Sequence, residues 1–435
     1  MPSSKYSSTS YSSVRRGSTP THYNHFLVYL HFLANLVHQG RYKDGFVLPF
    51  AGTYFIYKTV IMNLLILTAV CILYGSANYY VAVRIFKFLK LLKFNISGAL
   101  FAVIFAAFSI SVLLSFAGKE YALKRAIFVI GSVWLGVLMY LLIFTAAADL
   151  IMLLPKLSGK LTDTVRLIAE ASVLILTAVT VSVGAYRAVQ VQKVHYTVDL
   201  EKSINPLKVV LVSDIHIGAL GIETRLSDMA AMINEETPDI VCIAGDIFNN
   251  DFSAVNNPEA VADALKSIRA KYGVYACLGN HDCGNGFDKM LELIADSGIN
   301  LLREEYAVIP DCCVICGRAD SSPIGDTGTV KRGSFDSINI PDGKDLPVIV
   351  LDHNPANYDG YTAQADLILC GHTHKGQMFP GSLITNAMYT VDYGMCKAVG
   401  SAPAAIVTSG LGYWGPPLRI GTDSEIAIIE LRNKT

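Results

Sequence analysis

The hydrophobic pattern of the chain changes character near its middle. Four segments, 62–83, 97–117, 126–148 and about 167–186, are apolar all round rather than along one face. Each has the roughly 20 residues that a helix needs to cross the hydrocarbon core of a bilayer. The first three contain no charged residue and the fourth carries Glu170 alone. A soluble core would have to be unusually large to cover four such segments, and several long spans do not fit a cleaved signal peptide with its single short apolar region. From Lys208 onward short β-branched runs alternate with helical stretches: "KVVLVS", "DIVCIAG", "VYACLG", "VIVLD" and "LILCG". Strands that are apolar at every position imply a sheet covered on both faces, hence a layered α/β domain. In such domains ligands bind at the carboxyl ends of the strands.

Ahead of the spans, the Ser/Thr-rich residues 1–20 have almost nothing to bury and are expected to be disordered. Residues 23–38 carry the pattern of a short amphipathic helix, and "GFVLPFAGTYFIY" is apolar but broken by Gly and Pro. Met62, which opens the first clean span, is a second candidate for the start of translation. The predicted organisation is a poorly defined extension over 1–61 and a helical transmembrane domain of about four helices over 62–186. A polar, β-leaning linker over 187–204 then leads into an α/β domain over 205–435.

Composition fits this division, with 52% hydrophobic and only 16% charged residues. The net charge of −1 and the lack of a long basic tract argue against nucleic acid as a partner. Membrane lipids are the expected surroundings of a multi-pass protein. Basic residues in the first and third loops slightly outnumber those of the second loop and the stretch after the fourth segment, which would put the C-terminal domain outside. Counting Arg41, Lys43 and Lys58 erases that bias, and eight cysteines in the second half favour the reducing side, so the orientation stays open. Arg84, Lys87, Lys90 and Lys93 recur every third position, which suits a helix on an anionic membrane surface or a solvated loop. The nine cysteines do not read as a disulfide framework, and Cys242, Cys277 and Cys370 read as buried thiols.

Groups suited to metal binding follow all five apolar runs. They are Asp214 and His216, then Asp246, then Asn280 and His281, then His353, then His372 and His374. Singly, each reads as a turn former or a helix cap. Together, at aligned strand ends, they read as a metal centre. Carboxylate, amide oxygen and imidazole without thiolate suit Mn, Fe or Zn as divalent ions. Three Asp or Asn oxygen donors and four of the histidines are more than one ion with an open position takes, and enough for two ions about 3.5–4 Å apart that share a carboxylate.

The ordered set "DIHIG", "GDIFNN", "GNHDCG", "LDHNP" and "GHTHKGQ" resembles the calcineurin-like metallophosphoesterases. The last motif, with "SGLGYWGPPLRIG", is similar to the membrane-associated YkuE-like branch, although "KGQ" stands where that branch commonly has a glycine pair. With four spans ahead of it, the chain resembles transmembrane proteins that carry such a domain. The resemblance implies a layered α/β/β/α sandwich with two divalent metal ions. Asp214, His216 and His374 would hold one ion and Asn280, His353 and His372 the other, with Asp246 bridging them. It further implies His281 as general acid or transition-state donor, Asp282 orienting it, and Arg318 as a contact to the substrate phosphate. The implied activity is hydrolysis of a phosphoester, phosphodiester or pyrophosphate by a water activated between the ions. The phosphate-containing substrate is either lipid-linked or a soluble phosphodiester reached by a tethered enzyme. The alternative is a membrane receptor or scaffold built on an inactive phosphoesterase fold, which predicts lost ligand positions; all are filled.

Overall fold

Long apolar helices open the architecture. The computed structural model describes residues 50–114, 121–202, 204–218, 221–324, 331–340, 346–361, 364–400 and 402–434. The expectations for residues 1–20 and 23–38 lie outside these. The helices are α1 (Phe50–Leu91), α2 (Gly98–Leu114), α3 (Tyr121–Leu157) and α4 (Asp163–Val189). Ile61–Leu91, Arg125–Leu157 and Asp163–Val189 are long and apolar enough to cross a membrane. The remaining predicted span, 97–117, contains α2, which among the described residues is a shorter apolar helix of 17 residues; 115–117 lie outside them. The basic stretch from Arg84 to Lys90 continues α1 instead of forming a loop.

The chain divides into a unit ending at Leu73 and a unit of Tyr74–Thr435. Within the second, polar side chains inside the helical region find one another, as a low-dielectric setting requires. Tyr74 Oη donates to the Ser109 carbonyl at 2.7 Å, and Trp134 Nε1 and Ser109 Oγ both donate to Asn78 Oδ1, at 3.1 and 2.7 Å. Glu170, the lone charge read within the spans, is met by Arg84, which also pairs with Asp149 at 2.8 Å. Gly131 lets α3 approach α2 closely, since a side-chain carbon there would meet the Ser111 backbone at 3.0 Å.

The α/β part contains strands β1 (Val191–Leu200), β2 (Leu207–Val212), β3 (Ile240–Ala244), β4 (Val274–Cys277), β5 (Asn300–Leu301) and β6 (Glu305–Ile309). It continues with β7 (Cys313–Gly317), β8 (Val348–Leu351), β9 (Leu367–Cys370), β10 (Gly394–Cys396), β11 (Ala404–Val407) and β12 (Ser424–Asn433). They form two six-stranded sheets, ordered β1-β12-β2-β3-β4-β5 and β10-β11-β9-β8-β7-β6. β2, β3, β4 and β5 run parallel in the first, as do β7, β8, β9 and β11 in the second.

Strand alternation explains why these runs are apolar throughout. In β2, Val209 and Leu211 enter a core shared with Ile315, Ile349, Leu351 and Leu369 of the other sheet. Val210 and Val212 point the opposite way, into a core closed by α5 (Leu226–Glu235), α6 (Pro258–Lys266) and α7 (Phe287–Asp296). α7 presents Met290, Leu293 and Ile294 at helical spacing to that core. The outer face of the second sheet is covered by 3-10 turns at Phe335–Ile338 and Pro355–Gly360. A last helix, α8 (Gly381–Met388), follows the final histidine motif.

The stretch read as a linker contains β1. Its ten residues pair in parallel with β12, from Val191↔Ser424 to Leu200↔Asn433, so residues 191–200 belong to the first sheet. The alternating "VHYTVDL" can add to a sheet edge, which a polar average over the segment conceals. All nine cysteines are free thiols.

Candidate metal centre

Each motif residue stands just past the carboxyl end of a short strand. Asp214 and His216 follow β2, Asp246 follows β3 and Asn280 to Asp282 follow β4. His353 follows β8, while His372 and His374 follow β9. Because β2, β3 and β4 are parallel in one sheet and β8 and β9 in the facing one, their carboxyl ends bring these side chains to a common rim.

Two groups result, Asp214 with His216 and His374, and Asp246 with His353 and His372, each with its ligand atoms within 4.8 Å of one another. In the first, His374 Nε2 lies 3.1 Å from His216 Nε2 and 3.3 Å from Asp214 Oδ1. In the second, Asn280 Oδ1 lies 2.9 Å from His372 Nδ1 and 3.2 Å from His353 Nε2. Asp246 Oδ2 links them, 3.2 Å from His353 Nε2 and 3.9 Å from His216 Nε2.

Local backbone geometry serves this convergence. Asp214, His216, Asp246, His372 and His374 all have φ between 49° and 72°, a left-handed region that non-glycine residues rarely occupy. Such strain clusters at functional sites because surrounding structure must hold it. The glycine of "GNHD" is required by close approach: a side-chain carbon on Gly279 would collide with the Asp246 carboxylate and backbone. The glycine of "GHTH" is required in the same way, since one on Gly371 would strike Ser213 and the Asp214 carboxylate.

Burial dominates the electrostatics. It pushes Asp214 up to about 6, with His353 pulling the other way. It lowers His216 to about 3 and His372 to about 4, and drives His374 well below its ordinary value with help from the Arg419 guanidinium. His281 is also lowered by burial. His353 and Asp246 behave oppositely despite burial: Asp246 holds the His353 imidazolium far above its usual range, and His353 holds Asp246 below the carboxylate range. The opposite charges that hold these two shifts in place are ones that a bound cation would also compensate. Imidazole nitrogens, an amide oxygen and carboxylates that converge in this way fit two divalent cations.

Two of the predicted residues have partners within the fold. The Asp282 carboxylate accepts from Phe248 N at 2.7 Å and Gly279 N at 2.8 Å. Those buried amides need an acceptor, and Asp282 ties the loop after β3 to the loop after β4. Arg318 is engaged within the fold. It is 3% exposed, and its guanidinium is taken up by Glu304 at 2.9 Å and the Gly333 carbonyl at 2.7 Å. A buried guanidinium requires such partners. His281 remains beside the cluster, its ring 5.1 Å from that of His216 and its amide donating to Asp246 Oδ1 at 2.8 Å.

One residue was missed. Arg419 is completely buried, donates to the carbonyls of His374 at 3.3 Å and Gly410 at 3.2 Å, and also to that of Gly412. It lies 3.3 Å from His374 Nδ1. Its only signal was its place in "GPPLRIG", away from any apolar strand end.

Comparison with known proteins agrees with this arrangement. The calcineurin-like phosphoesterase family profile matches residues 207–376. An uncharacterized metallophosphoesterase of Campylobacter jejuni is 28% identical over 84% of this chain and 97% of its own length. A transmembrane protein with metallophosphoesterase domain from Danio rerio is 30% identical over 68% of this chain and 72% of its own. Phosphodiesterase YaeI of Escherichia coli is 30% identical over 40% of this chain and 62% of its own.

Proposed function

The chain belongs to the calcineurin-like metallophosphoesterases, and on that premise we propose that it is a membrane-anchored, two-metal phosphohydrolase acting on a lipid-linked phosphoester, phosphodiester or pyrophosphate. The observation that carries this reading is the pair of ligand groups joined through Asp246. Asp214, His216 and His374 would hold one ion, and Asn280, His353 and His372 the other. Mn, Fe or Zn suit the donors. Bound there, such ions supply positive charge to phosphate oxygens and acidify a water to near neutrality.

The remaining work falls to the protein. Asp246 sets the spacing between the two halves of the site, and the amide of His281 holds the Asp246 carboxylate in place. The His281 ring sits beside the cluster and is kept neutral by burial, ready to offer an N–H to the leaving oxygen. Asp282 positions the loop that carries His281. Anchoring rests on the three helices long and apolar enough to cross a bilayer.

The test is an assay of the detergent-solubilised, metal-reconstituted protein over phosphomonoesters, phosphodiesters and lipid pyrophosphates. His281→Ala is expected to keep its metal content while losing roughly 10²- to 10⁴-fold in turnover. Asp246→Asn is expected to lower the content of both metals. Inactivity of the native protein on every substrate, with metals bound, would favour the scaffold reading.

A further inference from the structure

We propose that α8 and its flanking aromatic residues form a membrane-seated rim of the metal centre, so that the phosphate reaching it is carried by a lipid of that leaflet. This rests on the anchored-phosphohydrolase reading above. Residues 377–390, "QMFPGSLITNAMYT", contain no charged side chain. Phe379 is 49% exposed, Leu383 63%, Ile384 61% and Met388 69%, and α8 buries none of its residues. Ile384 and Met388 stand one turn apart with Leu383 beside them, so the three share a face. Trp414, 56% exposed, adjoins this stretch: Gln377 Nε2 donates to the Trp414 carbonyl and the Trp414 amide donates to Gln377 Oε1, both at 2.8 Å. Exposed apolar side chains gathered on one short segment in this way mark a binding face. It borders the site, for the Tyr389 ring is 6.2 Å from that of His372 and the Trp414 ring 6.1 Å from that of His281.

Attachment to the long apolar helices identifies the occupant as a bilayer leaflet. Tyr140 of α3 donates from Oη to the Phe379 carbonyl at 2.7 Å. The Arg419 amide donates to the Gly184 carbonyl of α4 at 2.9 Å, and Phe379 N donates to the Ile420 carbonyl at 2.7 Å. A side-chain carbon on Gly184 would collide with Ile420, and one on Gly136 with Leu418, so both helices are notched to take this segment. Gly184 stands 21 residues after Asp163, the first residue of α4. At about 1.5 Å per residue that is about 32 Å, the thickness of a hydrocarbon core. The rim therefore meets the bilayer surface where α4 emerges, at the depth where Trp, Phe and aliphatic side chains seat in the interface. A leaflet would cover the patch and deliver headgroup phosphates laterally to the adjoining metal site, whereas a soluble phosphodiester would make no use of it.

The full chain, reconstituted in nanodiscs of phosphatidylcholine with or without brominated acyl chains, provides the test. The sequence has two tryptophans, so Trp134→Phe leaves Trp414 as the only reporter and Trp414→Phe leaves Trp134 in α3. Brominated lipid is expected to quench most of the Trp414 emission. Leu383→Gln with Ile384→Gln is expected to lower turnover of a nanodisc-borne lipid phosphodiester at least about tenfold, since two aliphatic side chains leave the lipid. Turnover of a soluble aryl phosphodiester should not change. Quenching of Trp134 without quenching of Trp414 would overturn the rim and leave the anchoring intact. Quenching of neither would remove the anchoring and the rim together. Equal loss on lipid and soluble substrates would overturn lateral delivery, and activity on neither substrate in a quenched native protein would overturn the enzyme reading instead.

Discussion

Arg419 is the side chain on which the first ligand group depends without belonging to it. A fully buried guanidinium is costly unless its donors are used. Here Nη1 and Nη2 bind the carbonyls of His374, Gly410 and Gly412, which fixes the "GHTH" loop against the "SGLG" loop. Burial, and after it the Arg419 charge, lowers His374 well below its ordinary value, toward the neutral form that a metal ligand needs. Arg419→Met should therefore weaken metal affinity by roughly 10- to 100-fold, as removal of outer partners of metal ligands does. Titration calorimetry of the apo protein with Mn²⁺ measures this, and unchanged affinity would show that the contact is structural only. The candidate ligand groups were readable in the sequence because each follows an apolar run that ends abruptly. Arg419 was not, because its partners are backbone carbonyls up to 45 positions away and leave no trace in side-chain pattern. The partners of Asp282 were hidden for a related reason: adjacency to His281 in sequence suggested a shared task, and only the turn shows its carboxylate reaching Phe248 and Gly279.

Among the elements, the apolar helices were legible in position and less so in extent. Length and uniform hydrophobicity locate them, but α1 extends beyond its predicted segment at both ends. Within that extension lies Arg84, which the sequence placed in a loop and the structure places against Asp149 and Glu170. The side chains of Arg84 and Glu170 are 21% and 11% exposed, so neither carboxylate nor guanidinium has ample water as an alternative partner. Arg84→Gln leaves Glu170 without its cation and should lower the apparent melting temperature of the detergent-solubilised protein. For a buried pair the loss of one partner costs about 3–5 kcal/mol. Adding Glu170→Gln should restore part of that loss, because a neutral amide no longer requires the guanidinium. A double variant as unstable as the sum of the singles would mean that the two residues act independently.

For the molecule as a whole, the division into a helical part and a sheet part was legible from the change in hydrophobic period, but the boundary was not. Averaged over 187–204 the chain is polar, and the partner that makes β1 a strand, β12, lies at the opposite end of the sequence. Long-range pairing of this kind leaves only a weak alternating signal in the first strand. The consequence is a test of where the phosphoesterase part begins. A fragment starting at residue 205 would lack β1 and expose a ten-residue edge of β12, whose Ile426, Ile428, Ile429 and Leu431 are at most 1% exposed in the full chain. Unpaired apolar edges aggregate. A fragment starting at residue 190 keeps β1 and covers that edge, though it still bares Leu418 and Ile420, which pack against Gly136 and Gly184. The longer fragment should remain monodisperse at detergent concentrations where the shorter one elutes in the void volume of a sizing column. Equal behaviour would mean that the edge contributes nothing and that the surface packed on α3 and α4 alone decides solubility. Both fragments aggregating until Leu418→Gln and Ile420→Gln are introduced would place the boundary within the helices, making the last two apolar helices part of the catalytic domain's own core.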